Sequence, residues 1–138
     1  MRILFKKYKY SEGLDNLGIS RIGIQRTACR GSCPVYTMIV ESNGNVFYQG
    51  HYGTEKLSKH VGRLYPYHIF SIFEYIDKYF YTPGVFYFSY ETSSSTTLTL
   101  ATKNGVDRVI NNYSNSGPIL LWSIETHIDS LYDKVIWK

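Results

Sequence analysis

Asn43-Gly44 is the tightest local constraint on how this chain can fold. It stands between two runs with alternating apolar residues, Val35 to Val40 before it and Asn45 to Gly50 after it. A period of two is the mark of a half-buried strand, and Asn-Gly at the join favours a two-residue hairpin turn of type I′. Tyr36, Met38 and Val40 fall on one side of the first run. In the second, Val46 and Tyr48 share a face and Phe47 takes the other. A third run, Ile22 to Thr27, alternates Ile22 and Ile24 with small or polar residues, so three antiparallel strands are expected.

Between the third run and Val35 lies Cys29-Arg30-Gly31-Ser32-Cys33-Pro34, which has to reverse the chain. Gly31 takes positive φ without steric cost and Ser32 can bond to the local backbone. Pro34 fixes its own φ, pushes Cys33 towards an extended form and lacks an N–H, so it belongs at the beginning of a strand. Gly31 and Pro34 argue against a helix here. The stems of a tight hairpin can bring two Cα atoms within the roughly 4.4–6.8 Å that a disulfide spans. Closing so small a loop contributes at most about 2–3 kcal/mol.

Three readings of Cys29 and Cys33 stand side by side. The first is a structural disulfide or a pair of buried, inert thiols. The second is a thiol–disulfide redox pair, but the spacing is one residue longer than Cys-x-x-Cys and lacks the helix N-terminus that usually lowers a thiol pKa. The third is a metal site, the weakest, because structural zinc takes four ligands and no second cysteine pair exists.

The run from Ile24 to Tyr36 resembles the opening of a widespread, uncharacterised family of small bacterial domains. In that family an arginine precedes Cys-x-Gly-x-Cys-Pro-x-Tyr, and a strand, a glycine-containing turn and a second strand ending in Tyr-x-Gly follow. Arg26, Cys29, Gly31, Cys33, Pro34, Tyr36, Gly44, Tyr48 and Gly50 stand at the matching positions, and the resemblance covers about Ile22 to Leu131. It implies no activity. Many relatives look exported or membrane-anchored, where an oxidised pair would be natural. One departure stands out: relatives usually carry Thr-Asp after the first helix, whereas Val85 to Thr97 here is aromatic and then serine-rich, with Glu91 its one acid.

At 138 residues, residues 1–138 read as one domain, and a chain of that size buries about two-thirds of its extended surface. The net charge of +4 is concentrated at one end: Arg2, Lys6, Lys7, Lys9, Arg21, Arg26 and Arg30 face only Glu12 and Asp15. Residues 1–20 therefore read as a basic edge strand or a solvated arm, with Ser11 to Ser20 a loop. No apolar run approaches the about 18 residues of a membrane span. The N-terminus shows no secretory signal, so cytoplasm is the default location, or an exported protein if such a segment has been removed.

His51 to Arg63 is polar and reads as a loop, with room for a brief extension of the sheet at Tyr52. Pro66 suits the first turn of a helix, and Ile69, Phe70, Ile72, Phe73, Ile76 and Phe80 then make one apolar stripe, ended near Tyr81 by Thr82-Pro83-Gly84. Val85 to Tyr90 is a run of rings. Thr96 to Thr102 alternates, with Leu98 and Leu100 expected inward and the threonines outward. Asn104-Gly105 turns the chain into Val106 to Asn111, with Val106, Arg108 and Ile110 on one side and Val109 on the other. Pro118 opens a second helix marked by Leu120, Leu121, Ile124, Ile128 and Leu131, with Glu125, Asp129 and Asp133 expected towards solvent. Val135-Ile136-Trp137 is expected to fold back onto the core.

His51, His60, His68 and His127 form no helical zinc pattern, and neither a nucleophile elbow nor a phosphate loop is present. Glu125 and Asp129 have the spacing of paired carboxylates, but a solvated face accounts for them. Arg26, Arg30, Tyr36 and Tyr48 could serve single-stranded nucleic acid if their face of the sheet met solvent; if helices cover it, the tyrosines are core.

The expectation is thus an α+β domain, an antiparallel sheet of about five strands with two helices packed on it. The leading functional reading is a non-enzymatic binding or interaction domain without a cofactor, meeting a protein partner through Phe86, Tyr87, Phe88 and Tyr90. The alternatives are a thiol–disulfide redox or structural-disulfide domain at Cys29 and Cys33, with Arg26, Gly31, Pro34 and Tyr36 in support, and then single-stranded nucleic-acid binding.

Overall fold

The computed structural model describes residues 12–27, 33–82, 96–113 and 117–138. The chain is α+β, with one antiparallel sheet and helices packed on it. Residues 12–17 form a short helix, α1. Strands β1 (Ile19–Arg26), β2 (Val35–Glu41), β3 (Asn45–Tyr52) and β4 (Ser58–Arg63) follow. Helix α2 (Pro66–Tyr79) then leads to β5 (Thr96–Lys103) and β6 (Val106–Tyr113). Helix α3 (Ile119–Asp129), a 3-10 turn (Ser130–Lys134) and β7 (Ile136–Trp137) close the chain. The sheet has seven strands in the order β6-β5-β1-β2-β3-β4-β7.

The expected counts of five strands and two helices are therefore too low. The basic edge strand or arm expected of the first residues lies, through residue 11, outside the described residues. The loop reading of residues 12–20 gives way to α1 and the beginning of β1. The brief extension of the sheet at Tyr52 is the end of β3, and the rest of the expected loop to Arg63 holds β4. The β4 strand escapes pattern reading because its inward positions are not apolar. Tyr48 pairs His60 and Val46 pairs Gly62. A Cβ on Gly62 would lie 2.5 Å from Val135 Cγ1 and 2.8 Å from the Ile136 carbonyl oxygen. The tail closes over that glycine, and β7 pairs β4 through Gly62–Trp137 and Arg63–Ile136.

The two Asn-Gly turns differ. Asn104 and Gly105 both hold positive φ, 51° and 78°, and Lys103 pairs Val106 directly, so this is the two-residue I′ turn. At Asn43-Gly44 only Gly44 is left-handed, at 96°, and its N–H donates to the Glu41 carbonyl at 2.9 Å. That is the longer loop, a type I turn closed by a left-handed glycine, in place of the expected type I′.

The core lies on one face of the sheet. Ile22 and Ile24 of β1, Met38 and Val40 of β2, and Val46 and Tyr48 of β3 meet Ile69, Ile72, Phe73 and Ile76 of α2 and Leu121, Ile124 and Ile128 of α3. The inward face of β5 is the reverse of the expected one. Ile22 pairs Ala101 and Ile24 pairs Thr99, so Ala101, Thr99 and Thr97 lie on the core side and are buried. Leu98 and Leu100 take the other face and are half-buried. Choosing the more apolar set picks the wrong face here, because small side chains fit beneath the helices, and a one-residue shift reverses every side chain of a strand.

Candidate functional site

The described residues of the sequence motif converge at one end of the sheet. Arg26 ends β1 and Tyr36 lies near the beginning of β2, and the two are register partners. Thr97 of β5 is the partner of Arg26 on the other side. Asp129, the last residue of α3, comes down onto this group. Arg26 Nη2 donates to Asp129 Oδ2 at 2.5 Å and its Nε donates to the same oxygen at 3.1 Å. Arg26 Nη1 donates to Thr97 Oγ1 at 3.1 Å. The Tyr36 hydroxyl accepts from Arg26 Nε at 3.1 Å and donates to Asp129 Oδ1.

Both charged side chains are mostly shielded, at 22% and 30% exposure for Arg26 and Asp129. Burial on its own would pull the Arg26 pKa down. The hydrogen bond and charge of Asp129, with Tyr36 adding to them, outweigh it and hold the guanidinium protonated. Burial, then the Asp129 charge and hydrogen bond, push the Tyr36 phenol above the usual tyrosine range against the opposing pull of Arg26. Tyr36 is thus a neutral hydrogen-bonding group and no source of a phenolate nucleophile.

One turn back along α3, Glu125 is 1% exposed. Its Oε2 accepts from Asn112 Nδ2 at 2.9 Å, and Asn112 Oδ1 accepts the Gly117 N–H at 2.9 Å. Glu125 Oε1 has no hydrogen-bond partner among the described residues. Burial raises its pKa. The expected solvated face for Glu125 and Asp129 is therefore corrected: one carboxylate is in the core and the other ties the helix to the sheet. Sequence periodicity carried the signal, since Glu125 stands four after Leu121 and three before Ile128, inside the apolar stripe.

Beside this cluster opens a groove of about 270 Å³ lined by Pro34, Tyr36, Met38, Tyr48, Gly53, Thr54, Glu55, Asp129 and Tyr132. Its wall is an aromatic cluster. Tyr36 and Tyr48 stack at 5.8 Å between ring centroids. Tyr48 meets Tyr132 at 5.3 Å and Trp137 at 5.6 Å. Lys56 Nζ lies 5.4 Å over the Trp137 ring. The Tyr132 hydroxyl is buried without a partner among the described residues. Gly53, at a φ of 67°, brings the turn after β3 against the Cys33 carbonyl oxygen, which a Cβ there would meet at 3.3 Å. A larger cavity of about 450 Å³ lies at the other end of the sheet, around Gly44, Leu64 and Pro66. Its polar lining is Ser42, Asn43 and Arg63, with Arg63 Nη2 donating to the Asn43 carbonyl at 3.2 Å.

Of the expected site residues, the structure brings Arg26, Pro34 and Tyr36 together. Cys33 borders the groove through its carbonyl, and among the described residues no cysteine is free. Cys29 and Gly31 lie outside the described residues, as do Phe86, Tyr87, Phe88 and Tyr90. Tyr36 and Tyr48 face the helices; Tyr48 is buried in the core and Tyr36 is half-buried against it. Only the edges of these rings therefore reach the groove, and the broad open stacking face that single-stranded nucleic acid requires is covered. Among the described residues, no group of three or more His, Cys, Asp or Glu is placed to hold a metal, and no helix is long and apolar enough to cross a membrane.

No curated protein and no solved structure is a significant match to the chain. Residues 20–132 match the family described as a domain of unknown function, DUF6438, and the chain belongs to that family.

Proposed function

We propose that the tyrosine-lined groove beside Pro34 is the recognition surface of a non-enzymatic interaction domain, taking an apolar or aromatic side chain of a protein partner. The observation that carries this reading is the convergence of Tyr36, Tyr48 and Tyr132 on one groove. Aromatic walls with few, fixed polar groups are the usual make-up of binding sites. The Arg26–Tyr36–Asp129 network holds the wall rigid, which lowers the cost of binding. Peptides selected from a random library on the intact protein test it. They are expected to bind wild type and to lose binding to Glu55→Trp, which fills the mouth from an exposed position while leaving the fold intact. Equal binding to both proteins would refute the assignment.

A second reading concerns the loop that borders the groove. We infer that Cys29-x-Gly31-x-Cys33-Pro34-x-Tyr36 is the signature of the family and that its cysteines form a structural disulfide. Its support is that no cysteine among the described residues, Cys33 included, is free and that the chain has one other cysteine. A lasting bridge belongs to an oxidising compartment, whereas a reduced pair leaves the cytoplasm as the default location. Alkylation and mass spectrometry across graded redox buffers decide between a static bridge and a redox-active pair. A static bridge resists reduction over the whole glutathione range. Ready exchange would reverse that assignment in favour of the redox reading.

A further inference from the structure

The face of the sheet opposite the helices carries an apolar row that crosses six strands at one register level. Val109 pairs Leu100, Leu100 pairs Gly23, Gly23 pairs Ile39, Ile39 pairs Phe47 and Phe47 pairs Val61. Val109, Phe47 and Val61 are 56%, 46% and 43% exposed, and among the described residues no helix packs on this side. A shallow depression of about 310 Å³ opens between Ile39, Phe47 and Val61. A sheet with an apolar face ordinarily buries it.

We propose that this face joins a second copy of the chain, sheet to sheet, about a two-fold axis that runs along the strands between β1 and β2. The charges in the neighbouring row choose this occupant. That row runs Asp107, Thr102, Arg21, Glu41 on one side of the hairpin turn and Asn45, Arg63 on the other. Rotation about the proposed axis keeps each row at its own level and reverses the strand order. Arg21 and Asp107, which pair with each other within the chain at 3.5 Å, then meet Glu41 and Arg63 of the second copy, so the intrachain pair is extended at both ends. In the apolar row Phe47 meets Leu100 and Val61 meets Val109. Gly23 is covered by Ile39 of its own chain, whose Cδ1 would lie 2.5 Å from a Cβ there, so the two Ile39 side chains pack beside the axis. Each opposite-charge and apolar match follows from the strand registers, and a two-fold contact has to be self-complementary in this way.

The area also fits. Strands lie about 4.8 Å apart and rise about 3.4 Å per residue, so these six strands present roughly 700 Å². A stable complex needs about 800 Å² per partner, which the flanking side chains supply. Aligned sheets pack at about −30°. The Arg21–Glu41 contacts lie beside the axis, where that rotation displaces them least, and the long Arg63 side chain spans the offset at the corner.

Sedimentation equilibrium over about 1 µM to 1 mM tests the proposal on the intact chain. Wild type is expected at twice the 16.0 kDa chain mass. Phe47→Lys, at an exposed position, is expected to weaken association roughly 100-fold, the scale of losing a central anchor, with circular dichroism and thermal unfolding showing that the fold is kept. Asp107→Arg and Arg63→Asp are each expected to weaken association, and the double variant to restore it. Within one chain these residues sit on β6 and β4 with four strands between them, and Asp107 pairs Arg21 there. Asp107→Arg with Lys59→Glu, which restores net charge without the proposed partner, is the control that should give no rescue. A monomer at every concentration, a dimer indifferent to Phe47→Lys, or an Asp107→Arg and Arg63→Asp double variant no better than the singles would each overturn the proposal. The first of these outcomes is also the one expected if another segment or another protein covers the face.

Discussion

Arg26 and Asp129, 103 residues apart in the chain, meet at 2.5 Å where the end of β1 lies under the end of α3. The contact fixes the last turn of the helix to the sheet at the mouth of the groove, and Tyr36 bridges both partners. A side chain left buried after its opposite charge is removed costs much more than the pair contributes. Asp129→Ala is therefore expected to destabilise the protein by about 2–3 kcal/mol. Tyr36→Phe, which deletes one hydroxyl, should cost about 1–2 kcal/mol. Arg26→Ala combined with Asp129→Ala should cost less than the sum of the two single changes. Urea denaturation of the four proteins measures this, and additive costs would mean that the pair does not act as a unit.

The strands around this site are legible in the sequence because Ile22, Ile24, Met38, Val40, Val46 and Tyr48 alternate, and both Asn-Gly pairs mark turns, although only Asn104-Gly105 is of type I′. Apolar spacing likewise gave α2 and α3. The face of β5 was not legible, since Thr97, Thr99 and Ala101 owe their burial to pairing with β1, a strand some seventy residues away. The same is true of β4, whose inward Gly62 makes sense only once Trp137 and Val135 lie over it. At the site, Arg26 and Tyr36 could be singled out from the motif. Their partner Asp129 could not, because it sits at the edge of the α3 stripe and a solvated face explained it equally well until the helix was placed.

Glu125 gives the fold a pH dependence of definite sign. Burial, the largest influence, holds its carboxyl above the usual range; Asn112 and Arg26 pull it down, and Asp129 pushes it further up. A carboxyl with a raised folded pKa holds its proton more tightly in the native than in the unfolded state. Its contribution to stability is full below the unfolded value and is lost as pH rises through the folded one. Glu125→Gln keeps the shape without the charge. The stability difference between this variant and wild type should grow in favour of glutamine from about pH 4 to pH 8. Denaturation midpoints across that range measure it, and a constant difference would show that Glu125 does not ionise differently in the two states.

Gly50 ends the Tyr-x-Gly step of β3, and the structure supplies a reason for it. A Cβ there would lie 1.9 Å from the Lys56 carbonyl oxygen and 2.6 Å from Thr54 Oγ1. The turn that follows the strand folds directly over the glycine, so backbone has to move to admit a methyl group. Gly50→Ala is expected to cost about 3 kcal/mol, the upper end of overpacking penalties. Gly105→Ala is the useful comparison, because its surroundings are open and only its φ of 78° opposes the change. It should cost about 1 kcal/mol. Thermal and urea unfolding rank the two, and the reverse order would mean that the turn over Gly50 yields easily.

Trp137 completes both the aromatic wall and the edge of the sheet. Its ring meets Tyr48 at 5.6 Å and Tyr132 at 5.4 Å, its backbone pairs Gly62, and the next residue donates its N–H to the Val61 carbonyl at 3.0 Å. Its neighbour Ile136 points the other way and is 51% exposed. The two positions separate ring packing from strand pairing, since both substitutions leave the backbone of β7 in place. Trp137→Ala should cost about 2–3 kcal/mol, somewhat below a fully buried ring. Ile136→Ala should stay below about 1 kcal/mol. Because Trp137→Ala also removes a fluorophore, the comparison is made by far-ultraviolet circular dichroism in urea. Equal costs at the two positions would mean that the tail is held by its backbone pairing with β4, and that the tyrosine wall stands without the indole behind it.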